Sequence, residues 1–135
     1  MKKAVVSLHP RRFGKSLFVS MLNEYYDLKN KDRLTTIFEG CWIAQNLTPN
    51  AASFLVLPLD FSNLETQDFV RFEQDFNAKN NGKLNTFLNK YHDELKMPLV
   101  ENSNFVMNFR SVSQMAMQKG FKVGMIFVFL CQLSF

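Results

Sequence analysis

The sequence predicts an α/β fold built on a parallel sheet, and two patterns carry that prediction. Short β-branched or aromatic runs alternate with stretches of helical spacing, in the order strand, helices, strand, helices, strand. The last apolar run, Phe121 to Leu130, is dense rather than alternating, as a parallel strand covered on both faces would be.

Each element follows from its residues. Ala4 to Leu8 is a β-branched run that ends ahead of Pro10 and reads as a buried strand. Lys15 to Tyr26 switches to helical spacing, with Leu17, Phe18, Met21, Leu22, Tyr25 and Tyr26 expected on one side. A short helix over Asp32 to Phe38 would turn Leu34, Ile37 and Phe38 inward, and the polar stretch Gln45 to Ser53 reads as a loop. Phe54 to Phe61 is the second strand. Pro58 lacks an N–H for the ladder, so this strand is expected at an edge or with a bulge. Ser62-Asn63-Leu64-Glu65 has capping-box spacing and should open a helix striped by Phe69, Phe72 and Phe76. Asn80-Asn81-Gly82 is expected to break it. A further helix carries Leu84, Phe87, Leu88, Tyr91 and Leu95 and stops before Pro98. Another carries Phe105, Phe109, Val112 and Ala116 and ends near Gly120.

At 135 residues the chain suits one domain, and 47% hydrophobic residues supply its core. Fifteen Phe point to an aromatic interior. The net charge of +4 is uneven: residues 1–33 hold eight basic and three acidic side chains, and the rest holds eight and nine. The basic excess thus gathers at the N-terminal end, where it would favour an anion or form a solvated basic surface. Cys41 and Cys131 are too few and too distant for a disulfide framework or a zinc site, and they fit a reducing cytosol. The apolar run after Met1-Lys2-Lys3 is too short for a signal peptide. Val123 to Leu133 is shorter than the roughly 20 residues that cross a bilayer. The expectation is a cytoplasmic protein without a membrane segment.

The chemistry gathers at His9-Pro10-Arg11-Arg12-Phe13-Gly14-Lys15-Ser16. A phosphate-binding loop of the form G-x-x-x-x-G-K-[ST] lies between a strand and a helix. Its backbone N–H groups wrap a phosphate, a Gly permits close approach, and the helix N-terminus faces the anion. Gly14-Lys15-Ser16 supplies the second half of that motif in the required setting. His9 stands where the first Gly is usual. In such a loop Lys15 reaches the β- and γ-phosphates and the Ser16 hydroxyl ligates Mg²⁺. The plainer alternative is a helix start with an incidental Lys and Ser.

His9 to Phe18 resembles the R-P-R-R-F-G-K-S-L-hydrophobic signature of the bacterial AAA-ATPase-like proteins. Met21 to Asp27, Phe38-Glu39-Gly40 with Trp42-Ile43, and Leu57-Pro58-Leu59-Asp60-Phe61-Ser62 are similar to that family's following blocks, so the resemblance covers most of residues 4–95. It implies an incomplete P-loop NTPase-like parallel sheet with flanking helices, forming a single partial domain over residues 1–135. It also implies ATP and Mg²⁺ as ligands. His9 through Ser16 and Leu17 become the nucleotide-binding residues, Ser16 a Mg²⁺ ligand, and Arg often replaces the first Gly. Full-length relatives extend at both ends, many with a nuclease-like domain of the PD-(D/E)XK type, so the chain is expected to be truncated or frame-shifted.

The family's strand after a Lys-Gly-hydrophobic-Lys-Val block usually ends in the Walker-B sequence Asp-Glu-Tyr-Asp, which holds Mg²⁺ and orients water. Here Lys119-Gly120-Phe121-Lys122-Val123 leads into a run in which no carboxylate follows Glu101. ATP hydrolysis is therefore expected to be very slow or absent. Asp60 is a substitute metal-ligand candidate, its plainer reading being a capping or turn Asp beside Ser62. Arg11 and Arg12 could clamp phosphates, contact nucleic acid or lie in solvent. His9 and His92 read as structural, and Tyr25, Tyr26 and the Phe residues as core. The alternatives to nucleotide binding are a non-catalytic basic module on nucleic acid, a non-functional truncated product, and a chain that does not fold stably alone.

Overall fold

The computed structural model describes residues 15–61 and 67–128, with the backbone alone at 15, 16 and 128. Helix α1 spans Lys15–Tyr26, α2 Leu34–Ile37, α3 Phe69–Lys90, α4 His92–Leu95 and α5 Phe105–Gln118. Strand β1 spans Phe54–Asp60 and β2 Lys122–Val128. The strands pair in parallel from Phe54 opposite Lys122 to Asp60 opposite Val128, with no slip. The result is a mixed helix-and-strand fold on a two-stranded parallel sheet among the described residues. The strand expected at Ala4–Leu8 lies outside them.

The two faces of β1 carry different partners. Leu55, Leu57 and Leu59 alternate onto one face and are buried with Leu84, Phe87 and Leu88 of α3, Tyr91 just beyond it, and Phe105, Val112 and Ala116 of α5. Phe54, Val56, Pro58 and Asp60 alternate onto the other. There Tyr26 of α1 meets the Phe54 ring edge-on at 5.9 Å. The expected aromatic interior is present as a chain of ring contacts from Phe72 through Phe76 to Phe105 and Phe109.

Pro58 sits where its missing N–H has no cost. Strand amides alternate between edges, and those of Val56 and Asp60 donate to side chains, Tyr91 Oη at 3.0 Å and Asn80 Oδ1 at 3.1 Å, rather than to β2. Pro58, two residues from each, turns toward the same outer edge. The strand is thus an edge without a bulge among the described residues. Asp27, in a parallel bridge to Phe54, covers its start. Side chains cap this edge, which discourages pairing with another strand.

Three expectations are corrected. First, Asn80-Asn81-Gly82 does not break a helix; α3 runs through it for 22 residues. Gly82 costs the helix only about 1 kcal/mol. The two Asn side chains bond outward to tertiary partners, Asn80 to β1 and Asn81 to the Ser103 carbonyl at 3.0 Å. The i, i+4, i+8 series Asn77, Asn81 and Asn85 stitches α3 to the segment entering α5. Asn77 accepts from the Phe105 N–H and Asn85 from the Val100 N–H. Second, α3 begins later than the Ser62–Glu65 spacing implies. Asp68 is its cap, accepting from the Val70 N–H at 3.0 Å, and Phe69, the first helical residue, points out instead of inward. Residues 62–66 lie outside the described residues. Third, the apolar stripe of α1 is covered only toward its C-terminal end. Leu22, Tyr25 and Tyr26 turn inward as expected while Leu17, Phe18 and Met21 are exposed, as is Ile37 of α2.

Helix α5 ends in a Schellman motif: Phe121 N–H bonds the Ala116 carbonyl and Gly120 N–H the Met117 carbonyl, with Gly120 at φ 83°. That turn aims the chain into β2. The strand is less covered than its composition implies, with Met125 43% and Phe127 46% exposed.

Candidate functional site

The direction of α1 defines the candidate site. Its C-terminal residue Tyr26 meets Phe54, the first residue of β1, and the helix packs along both strands. Its N-terminus, at Lys15, is therefore directed toward the carboxyl ends of the parallel strands. Ligands of open α/β sheets bind at that end. A helix start offers N–H groups without intrahelical partners and the positive end of the helix dipole. No acidic side chain lies in the first turn of α1 to neutralise it.

His9 to Gly14 lie outside the described residues, and Lys15 and Ser16 are the first two residues of α1. Leu17 follows and is 66% exposed. Asp60 is brought to the same end of the sheet. It closes β1 on the face that α1 covers, opposite Val128 at the end of β2. Asp68, not Asp60, caps α3, and Ser62, beside which Asp60 was read as a capping or turn residue, lies outside the described residues.

Among the described residues no group of three or more His, Cys, Asp and Glu could hold a metal by itself. Mg²⁺ brought in on a nucleotide would not need such a group. Such an ion keeps several waters and takes phosphate oxygens plus one or two protein oxygens. Ser16 in the first turn of α1 and Asp60 at the end of β1 are the residues that would supply them. His92 and Cys41 are both exposed, and Tyr25 is buried, its hydroxyl 2.9 Å from Thr48 Oγ1. Cys131, Arg11 and Arg12 lie outside the described residues.

A second polar centre, not anticipated from the sequence, anchors the far end of α1. Asp27 is 2% exposed. Its Oδ1 accepts from Tyr91 Oη at 2.8 Å and from the Lys29 N–H at 3.0 Å, and its Oδ2 pairs with Lys90 Nζ. Burial, reinforced by the Asp27 hydrogen bond and charge, pushes the Tyr91 phenol well above the usual tyrosine value. This cluster ties the end of α1, the edge of β1 and the end of α3 together, which fixes the axis on which Lys15 sits. Its one sequence signal is Asp27 as the cap of the 3-10 turn Leu28–Asn30.

Fold and site define an α/β protein in which the first helix among the described residues presents its N-terminus at the carboxyl end of a parallel sheet. The family model described as predicted AAA-ATPase matches residues 1–128, and the chain belongs to this AAA-ATPase-like family. No curated protein and no solved structure matches it. Family membership implies nucleotide binding. No helix among the described residues is long and apolar enough to cross a membrane.

Proposed function

We propose that the chain binds ATP with Mg²⁺ through His9–Ser16 and the first turn of α1, and hydrolyses it very slowly or not at all. One observation carries this reading: Lys15 and Ser16 of the Gly-Lys-Ser motif are the first two residues of the helix directed at the carboxyl ends of the strands, inside a family match over residues 1–128. The backbone of the loop wraps the phosphates, and Gly14 allows the close approach. Lys15 neutralises the β- and γ-phosphates, and Ser16 offers its hydroxyl to the metal. Bound Mg²⁺ supplies charge neutralisation between the phosphates. Leu17, third in the helix, completes the nucleotide-binding segment.

Slow hydrolysis follows from the far side of the site. Positioning of an attacking water calls for a carboxylate or amide near the γ-phosphate. Strand β2 and the residues after it contain none of the acids that serve this role in the family.

Thermal unfolding tests the binding. A ligand that binds the native state alone raises the midpoint with concentration. MgATP should raise it for the native chain and not for Lys15→Ala. A midpoint shift that is equal in Lys15→Ala and vanishes with added salt would favour a diffuse basic surface instead.

A further inference from the structure

The carboxyl end of β1 is held by a side chain from mid-helix. Asn80 is 0% exposed, its Oδ1 accepts the Asp60 N–H at 3.1 Å, and its Nδ2 donates to the Phe76 carbonyl at 3.0 Å. Asn is a poor helix-interior residue, and a buried amide is costly unless bonded at both ends. A Leu here would extend the apolar stripe of Phe76, Leu84 and Phe87 and satisfy helix and core alike. What Asn80 adds is a fixed position for the last residue of β1.

The register gives that position a meaning. Asp60 stands opposite Val128, the final residue of β2. Paired strands lie about 4.8 Å apart. A carboxylate on Asp60 is thus one strand over from where an acid closing β2 would stand, and β2 has no acid. Residue alternation places Asp60 on the α1 face, at the end where Lys15 begins the helix.

We propose that Asp60 supplies the carboxylate that contacts Mg²⁺ or one of its waters in the nucleotide complex, and that Asn80 is its positioning residue. The inference rests on the nucleotide reading and deepens it. The pair contributes to the metal-dependent part of nucleotide binding, while the loop contributes the part that needs no metal.

The test is a titration of the full chain with a fluorescent ATP analogue, once with Mg²⁺ and once with EDTA. The readout is the ratio of the two affinities. The native chain binds more tightly with Mg²⁺. Asp60→Asn removes that gain and binds equally well or better in EDTA, because a negative charge near the phosphates is gone. Loss of a residue that orients a metal contact typically costs about 10–100-fold in metal affinity, and Asn80→Ala should reduce the gain accordingly. A wild-type ratio in Asp60→Asn overturns the proposal. Asp60 is only partly buried, and an Asp60→Asn chain that unfolds at the native midpoint remains decisive if Asn80→Ala unfolds. A folded Asn80→Ala with the full gain overturns the positioning role. No binding by the native chain in either buffer overturns the nucleotide reading and this inference with it.

Discussion

Tyr91 Oη donates to Asp27 Oδ1 across 2.8 Å and accepts from the Val56 N–H at 3.0 Å, joining residues 64 apart in the chain. The hydroxyl uses donor and acceptor in a buried setting. Tyr91→Phe leaves the Val56 N–H without a partner and removes one bond from a buried carboxylate. The expected loss is about 2–3 kcal/mol, read as a lower urea midpoint with an unchanged slope. A loss under half a kcal/mol would mean that water replaces the hydroxyl.

The same residue predicts an alkaline limit. Burial first, and then the neighbouring Asp27, holds the folded phenol above its ordinary value. An unfolded tyrosine titrates near pH 10. With the folded value above the unfolded one, the contribution of Tyr91 is complete below about pH 10 and is lost as pH rises beyond it. Stability measured through that range should fall in the native chain and fall less steeply in Tyr91→Phe. Parallel curves would contradict the assignment.

Gly82 and Gly120 should respond oppositely to alanine. Gly82 lies inside α3 with nothing within 4 Å of an added Cβ. Gly82→Ala should stabilise by about 0.5–1 kcal/mol. Gly120 closes α5 at φ 83°, where a Cβ is strained, and Gly120→Ala should cost about 1–2 kcal/mol. Thermal midpoints of the two variants check both signs. Destabilisation by Gly82→Ala would mean that α3 is not continuous in solution.

Steady-state phosphate release should stay at the level of a protein-free control, and Lys15→Ala should not change it. Turnover clearly above that background and abolished by Lys15→Ala would show that another group orients the water.

Much of this was legible in the sequence where order is set locally. Lys15–Tyr26, the strand from Phe54, the helix from Phe105 and the strand ahead of Val128 follow from periodicity and from cap or turn residues. The continuity of α3 did not, because Asn80 and Asn81 read locally as breakers and are satisfied only by β1 and by residues 102–103. The exposure of Leu17 and Met21 was hidden for a similar reason: helical spacing gives a period, and the neighbours choose the face. In the site, Lys15 and Ser16 were visible as a motif. The Asp27–Tyr91 and Asp60–Asn80 pairs were not, since each joins distant residues through one hydrogen bond that leaves no pattern in the chain.

The proposed phosphate loop is tested most directly by an equilibrium titration of the native chain and Lys15→Ala with a fluorescent ATP analogue in Mg²⁺. Saturable binding by the native chain and its loss in Lys15→Ala are expected, with both proteins unfolding at the same midpoint in the absence of nucleotide. Binding unchanged in Lys15→Ala, or no binding by a native chain that unfolds cooperatively, would contradict the proposed loop.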